Sequence, residues 1–88
     1  MYFVYMIKND FGKLYAGITE DLSKRLYHHN TKQGAGFTKG KAKFKPIFHE
    51  QYNILAEARK REIQIKKWRR DKKETLIERF QKGLPTKM

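Results

Sequence analysis

A short run of apolar and aromatic positions opens the chain. Residues 2–7, Tyr-Phe-Val-Tyr-Met-Ile, are rich in aromatic and β-branched side chains and predict a strand. Residues 14–18 predict a second. Between them, Lys8-Asn9-Asp10-Phe11-Gly12-Lys13 carries the turn residues of a short hairpin loop, with Gly12 free to take a positive φ. Antiparallel pairing places Tyr5 opposite or diagonal to Tyr15, with the register open by one residue.

The period then lengthens to that of a helix, starting near Thr19 or Glu20 and running to about Asn30. Thr19 is a candidate N-cap, and Glu20 and Asp21 suit the positive helix N-terminus. Leu22, Leu26 and His29 share one stripe, with Arg25 at its edge. Residues 31–45 carry Lys32, Lys39, Lys41, Lys43 and Lys45 among Gly34, Gly36 and Gly40, with no acid, and predict a basic, flexible loop.

A short third strand is expected over 46–52, with Pro46 at its first position, where no ladder donor is needed. A second helix is expected over 55–70 and a third over 73–82, where Leu76, Ile77 and Phe80 form a docking set. Gly83 and Pro85 stop it. Residues 1–82 read as one domain and 83–88 as a flexible C-terminal tail, frayed from Thr86. There is no internal repeat or linker.

Composition narrows the function. The chain has 88 residues, enough for one compact domain and not two. No cysteine is present, which removes disulfides and thiolate metal sites. No apolar run approaches the roughly 20 residues that span a bilayer, and the apolar start lacks a basic leader, so a cytoplasmic protein is expected. Lys and Arg total 21 against 9 acids, a net charge of +12, and a surface of that charge attracts polyanions. Nucleic acid is the commonest polyanion inside a cell; an anionic membrane is the rival.

Against this background certain side chains look out of place. Glu62 falls at helical spacing with Leu55, Ala58 and Ile65, flanked by Trp68, on the stripe that should face the core. A carboxylate there needs a partner. That partner is either a basic residue, such as Lys66 one turn on, or a hard metal ion in a cleft. Arg25 and His29 lie at i, i+4 and project side by side, either at the core edge or as a phosphate clamp beside a proton carrier. Tyr5 and Tyr15 pass as sheet aromatics. Gly17, on the same face as Tyr15, leaves room beside the phenol for a close approach. Phosphate-binding glycine loops, dinucleotide fingerprints and His-Glu-x-x-His zinc motifs are all absent.

Taken in order, Phe3-Val4-Tyr5, Tyr15-Ala16-Gly17, Arg25 with His29 on a helix, and Glu62 on a later helix resemble the GIY-YIG nuclease superfamily. The chain is most similar to its small stand-alone bacterial members, and more distantly to the N-terminal domain of the excinuclease C protein. The resemblance implies an α+β fold: a three-stranded antiparallel sheet flanked by helices, in the order β-β-α-β-α-α. It implies hydrolysis of a nucleic-acid phosphodiester with one divalent metal, Mg²⁺ or Mn²⁺, with DNA favoured over RNA and repair or recombination as a setting. By that resemblance Glu62 matches the metal ligand and Tyr15 the tyrosine that takes a proton from, or orients, the attacking water. Tyr5 matches a supporting tyrosine, Arg25 the arginine at the scissile phosphate and His29 a frequent helper.

The remaining basic residues suggest a phosphate-tracking surface. Lys39, Lys41 and Lys43 in the loop, with Lys66, Arg69 and Arg70 among the basic residues between Arg59 and Lys73, are its candidates, and Phe37 could stack on a base. The alternative function is a non-catalytic basic DNA- or RNA-binding module that keeps the same frame. A protein partner for targeting is compatible with either, but no partner-binding motif is legible.

Overall fold

The computed structural model describes residues 1–33 and 43–88, with side chains for 1–28 and 43–88. The candidates Lys39 and Lys41, with Phe37, lie outside the described residues, and so does the side chain of His29. The elements follow the expected order: β1 (Tyr2–Asn9), β2 (Leu14–Thr19), α1 (Leu22–Gln33), β3 (Phe44–Tyr52), α2 (Leu55–Lys67) and α3 (Arg70–Gln81). The three strands form one antiparallel sheet in the order β2-β1-β3.

Central strand β1 is buried on both faces, and its alternation divides the core. Val4 and Met6 pack with Phe48, Ala58, Ile65 and Leu76, the face covered by α2 and α3. Tyr5 and Ile7 pack with Phe44, Leu22 and Leu26, the face covered by α1. Tyr5 pairs with Gly17 and Ile7 with Tyr15, so the two tyrosines are diagonal neighbours.

Element ends differ from expectation for local reasons. Thr19 is not the N-cap of α1. Asp21 is: its Oδ1 accepts the Lys24 N–H at 3.0 Å, while Thr19 Oγ1 accepts the Asp21 N–H at 3.1 Å and shapes the approach. Pro46 is the third residue of β3, not the first. It faces Ile7 just where the register shifts between Met6 and Ile7, on an edge strand that tolerates a missing donor. Phe44, expected in the loop, starts β3 and is buried. The helix expected over 55–70 ends at Lys67, because Trp68 and Arg69 take extended backbone and α3 restarts at Arg70. The Trp68 ring lies within 5.3 Å of the Arg61 guanidinium and 4.4 Å of Lys72 Nζ, measured to its centroid.

The buried stripe of α2 is Ala58, Arg61 and Ile65, not the Leu55–Ala58–Glu62–Ile65 stripe expected. Leu55 is exposed and Glu62 sits at the stripe's flank. Arg61, counted by its charge among the basic residues of the surface, is buried instead. All five of its N–H groups are used. Nε and Nη2 donate to the two Glu50 oxygens at 2.9 and 3.2 Å. Nη1 donates to Gln64 and to the Met88 carbonyl, and Nη2 also donates to the Thr86 carbonyl at 2.7 Å. The tail expected to fray is therefore tied down, with Thr86 Oγ1 also donating to Glu50 at 2.8 Å.

Burial by itself would raise the Glu50 carboxyl. Hydrogen bonds from Arg61, Thr86 and Tyr52, with the Arg61 charge, outweigh it and hold the group below 4.5. Tyr52 is pushed up to about 12, first by burial and then by its hydrogen bond and proximity to the Glu50 carboxylate.

Candidate active site

The candidate site forms where edge strand β2 passes between α1 and α2. Tyr5 anchors it from the central strand, at 3% exposure. Its ring lies over Gly17: a Cβ on that glycine would stand 2.6 Å from Tyr5 Oη. The room that Gly17 leaves is thus taken by the Tyr5 phenol. Tyr5 Oη accepts the Arg25 Nε–H at 3.1 Å, which ties the first turns of α1 to the sheet and leaves the Nη end of the guanidinium outside that bond.

Gly17→Ala is expected to cost about 1–3 kcal/mol, because the buried ring has to move to clear the methyl group. A fall in Tm of about 4–8 °C per kcal/mol checks this. An unchanged Tm means that the Tyr5 ring shifts freely.

Tyr15 is placed differently. It is 38% exposed, packs edge-on against Phe44 at 5.2 Å between centroids, and has Lys13 Nζ 5.9 Å from its ring centre. Tyr5 is therefore a buried strut and Tyr15 an accessible phenol. From α2, Glu62 reaches the same place with its side chain 14% exposed, and its Oε2 pairs with Lys66 Nζ at 2.9 Å. Tyr5, Tyr15, Gly17, Arg25, Arg59, Glu62 and Lys66, with Ala16 and Ile18, line a cavity of about 290 Å³. Three cations and one carboxylate thus line the same cavity.

Comparisons with known proteins give the family of the chain. A family profile described as the GIY-YIG catalytic domain matches residues 1–75. The chain belongs to the GIY-YIG family. Its relatives include a UPF0213 protein of Staphylococcus saprophyticus, 38% identical over 86% of this chain and 93% of the relative. Another, from Bacillus pumilus, is 39% identical over 88% and 79%. The fold resembles the solution NMR structure of the UPF0213 protein from Bacillus halodurans. The TM-score is 0.58 at 30% identity, covering 89% of this chain and 84% of that one. A GIY-YIG domain is a nuclease domain in general, its substrate class is nucleic acid, and such nucleases generally use a divalent metal.

In this GIY-YIG domain the two family triplets face each other, since Tyr5 of Phe3-Val4-Tyr5 pairs with Gly17 of Tyr15-Ala16-Gly17. Tyr5, Tyr15, Gly17, Arg25 and Glu62 come together, and Lys66 joins them as the partner of Glu62. Glu62 has the basic partner expected for it, Lys66, and its side chain lines the cleft.

Other candidates lie elsewhere. Arg69 is exposed, 4.0 Å from Asp71. Arg70 pairs with Glu74 at 2.8 Å and lines a separate cavity with Lys8 and Leu14. Lys43 is exposed just before β3. Sequence reasoning does not single out Arg59 as a site residue, although its i, i+3 spacing to Glu62 is the signal that places both on one flank of α2.

Proposed function

We propose that this GIY-YIG domain is a metal-dependent endonuclease that hydrolyses nucleic-acid phosphodiester bonds, with DNA favoured over RNA. The observation that carries this reading is the single cavity that brings an accessible phenol, one carboxylate and three cations together. A phosphodiester resists attack because it is anionic and its leaving alkoxide is poor. Arg25, Arg59 and Lys66 supply positive charge where negative charge builds in the transition state. Tyr5 accepts from Arg25 Nε and so fixes the direction of the guanidinium. Tyr15 faces the cavity and serves to orient the attacking water or take its proton. His29, one turn after Arg25, is assigned a helper role by the family resemblance. Lys43, Arg69 and Arg70, with Lys39 and Lys41, would hold the nucleic-acid backbone beyond the cavity. Repair or recombination and a cytoplasmic location suit such a substrate.

The donor set fits a hard divalent ion such as Mg²⁺ or Mn²⁺. Such an ion keeps most of its waters and needs one or two carboxylates, and Glu62 offers an oxygen ligand at the cavity wall. No group of three or more His, Cys, Asp and Glu occurs among the described residues, so a zinc-type cage is not built there. When bound, the ion adds charge neutralisation at the phosphate and acidifies a water.

Lys66 competes for the same carboxylate. Lys66→Gln is therefore expected to tighten Mn²⁺ binding several-fold in calorimetric titration, while Glu62→Gln abolishes it. Unchanged affinity in Lys66→Gln would show that the ion does not displace this pair.

Cleavage of single-stranded, duplex and branched substrates with Mg²⁺ or Mn²⁺ tests the function. Binding without cutting any of them sinks the nuclease reading. That outcome favours the second one, a binding module, which has its own support: the Glu62–Lys66 ion pair satisfies the carboxylate without a metal.

A further inference from the structure

The tip of the β1–β2 hairpin belongs to no part of the cavity. Phe11 stands there at 77% exposure, above every other large apolar side chain among the described residues. The turn that carries it is stiff. Asn9 Oδ1 accepts the N–H groups of Phe11 and Lys13, each at 2.9 Å. Asn9 N–H donates to the Lys13 carbonyl and Gly12 N–H to the Asn9 carbonyl, each at 3.0 Å, and Gly12 takes φ +84. An Asx-type turn of this kind holds its shape without a partner. The aromatic ring is therefore presented to solvent by a preorganised loop, where burial would ordinarily have been favoured.

The same end of the sheet concentrates positive charge. Lys8 on β1 lies directly opposite Lys45 on β3. Like charges in that position destabilise a sheet, so the pair works against the fold. Lys13 leaves the turn and Lys43 precedes β3; all four lysines are exposed, Asp10 is the one acid in the turn, and Glu74 and Glu78 of α3 share a cavity with Lys8 and Arg70. Tyr15 follows Lys13 by two residues, about 7 Å along a strand, with Lys13 Nζ beside its ring.

An exposed ring flanked by cations is the arrangement that holds unpaired bases: the π-face stacks on a base and the lysines hold the adjoining phosphates. A protein partner is a poorer match, because lysine is depleted from protein interfaces. In an intact duplex both faces of a base are already stacked. We propose that the hairpin tip is a platform for an unpaired base next to the scissile phosphate, with Phe11 stacking and Lys8, Lys13, Lys43 and Lys45 neutralising the backbone. This rests on the nucleic-acid reading above and narrows its substrate class to single strands, loops and flaps.

Binding of a labelled single-stranded DNA and of its duplex to the full chain, in a metal chelator that prevents cutting, tests it. Phe11→Ala is expected to weaken single-strand binding about tenfold and duplex binding less than about twofold, while Phe11→Trp keeps both. A 2-aminopurine base in the single strand should lose its bound-state quenching in Phe11→Ala. Unchanged single-strand affinity, or an equal loss on both substrates, overturns the platform. If Phe11 dependence appears but no metal yields cleavage, the nuclease reading fails and the platform stands. If the wild type cuts and Phe11→Ala binds normally, only the platform fails.

Discussion

Glu62→Gln is expected to lower cleavage by about 10²–10³-fold, the scale seen when a preorganised charge partner of a transition state is removed. The substitution keeps the shape of the side chain and its place at the flank of α2, so folding should hold. It exchanges the carboxylate oxygen that faces the cavity, and that pairs with Lys66, for a neutral amide. Tyr15→Phe is expected to cost a comparable factor, since loss of a general base removes about 10²–10⁴-fold. Both should leave nucleic-acid binding in chelator within a few-fold of wild type, because Arg25, Arg59 and Lys66 remain. The measurement is kcat against KM on a substrate that the wild type cuts. Activity in Glu62→Gln above a tenth of wild type would place the essential charge elsewhere.

The largest effect on stability is expected at Arg61. Arg61→Met leaves the Glu50 carboxylate buried without its cation, a loss of about 3–5 kcal/mol. For a chain of this size, at about 4–8 °C per kcal/mol, that amounts to a fall in Tm of about 12–40 °C. Pairing it with Glu50→Gln should recover part of the loss, because the stranded charge then disappears. Additive losses in the double variant would show that the pair is uncoupled.

The wild-type pH profile follows from the same cluster. Glu50 is held below its ordinary value in the fold, so its contribution is present above 4.5 and is lost as pH falls through the lowered value. Tyr52 is raised to about 12, so its contribution is complete below 10.0 and is lost as pH rises toward 12. In Arg61→Met, burial is no longer outweighed by the guanidinium, and the acid limb should move to higher pH. Denaturation curves across acid and alkaline pH check both limbs.

These residues mark how far the chain can be read from its letters. The strands, the hairpin and the helix order follow from periods of two and 3.6 residues, which the side chains carry locally. A join between α2 and α3 is legible but its position is not: Trp68 and Arg69 are neither glycine nor proline, and the place of the break shows only in their extended backbone. Pro46 reads as a strand start because the register shift that accommodates it depends on β1, a partner distant in the chain.

The α+β frame, the family and the grouping of Tyr5, Tyr15, Gly17, Arg25 and Glu62 at β2 thus belong to the sequence alone, whereas Arg59 joins them only in the fold. Which charge on α2 goes inside is settled only by packing. Neighbouring helical positions differ by about 100° of rotation, so Arg61 and Glu62 both border the apolar arc. The choice rests on Glu50, which β3 brings to Arg61 from 11 residues away, and on carbonyls of the docked tail. A buried guanidinium with five acceptors is stable where a lone carboxylate is not, and turning Arg61 inward leaves Glu62 at the mouth of the cavity.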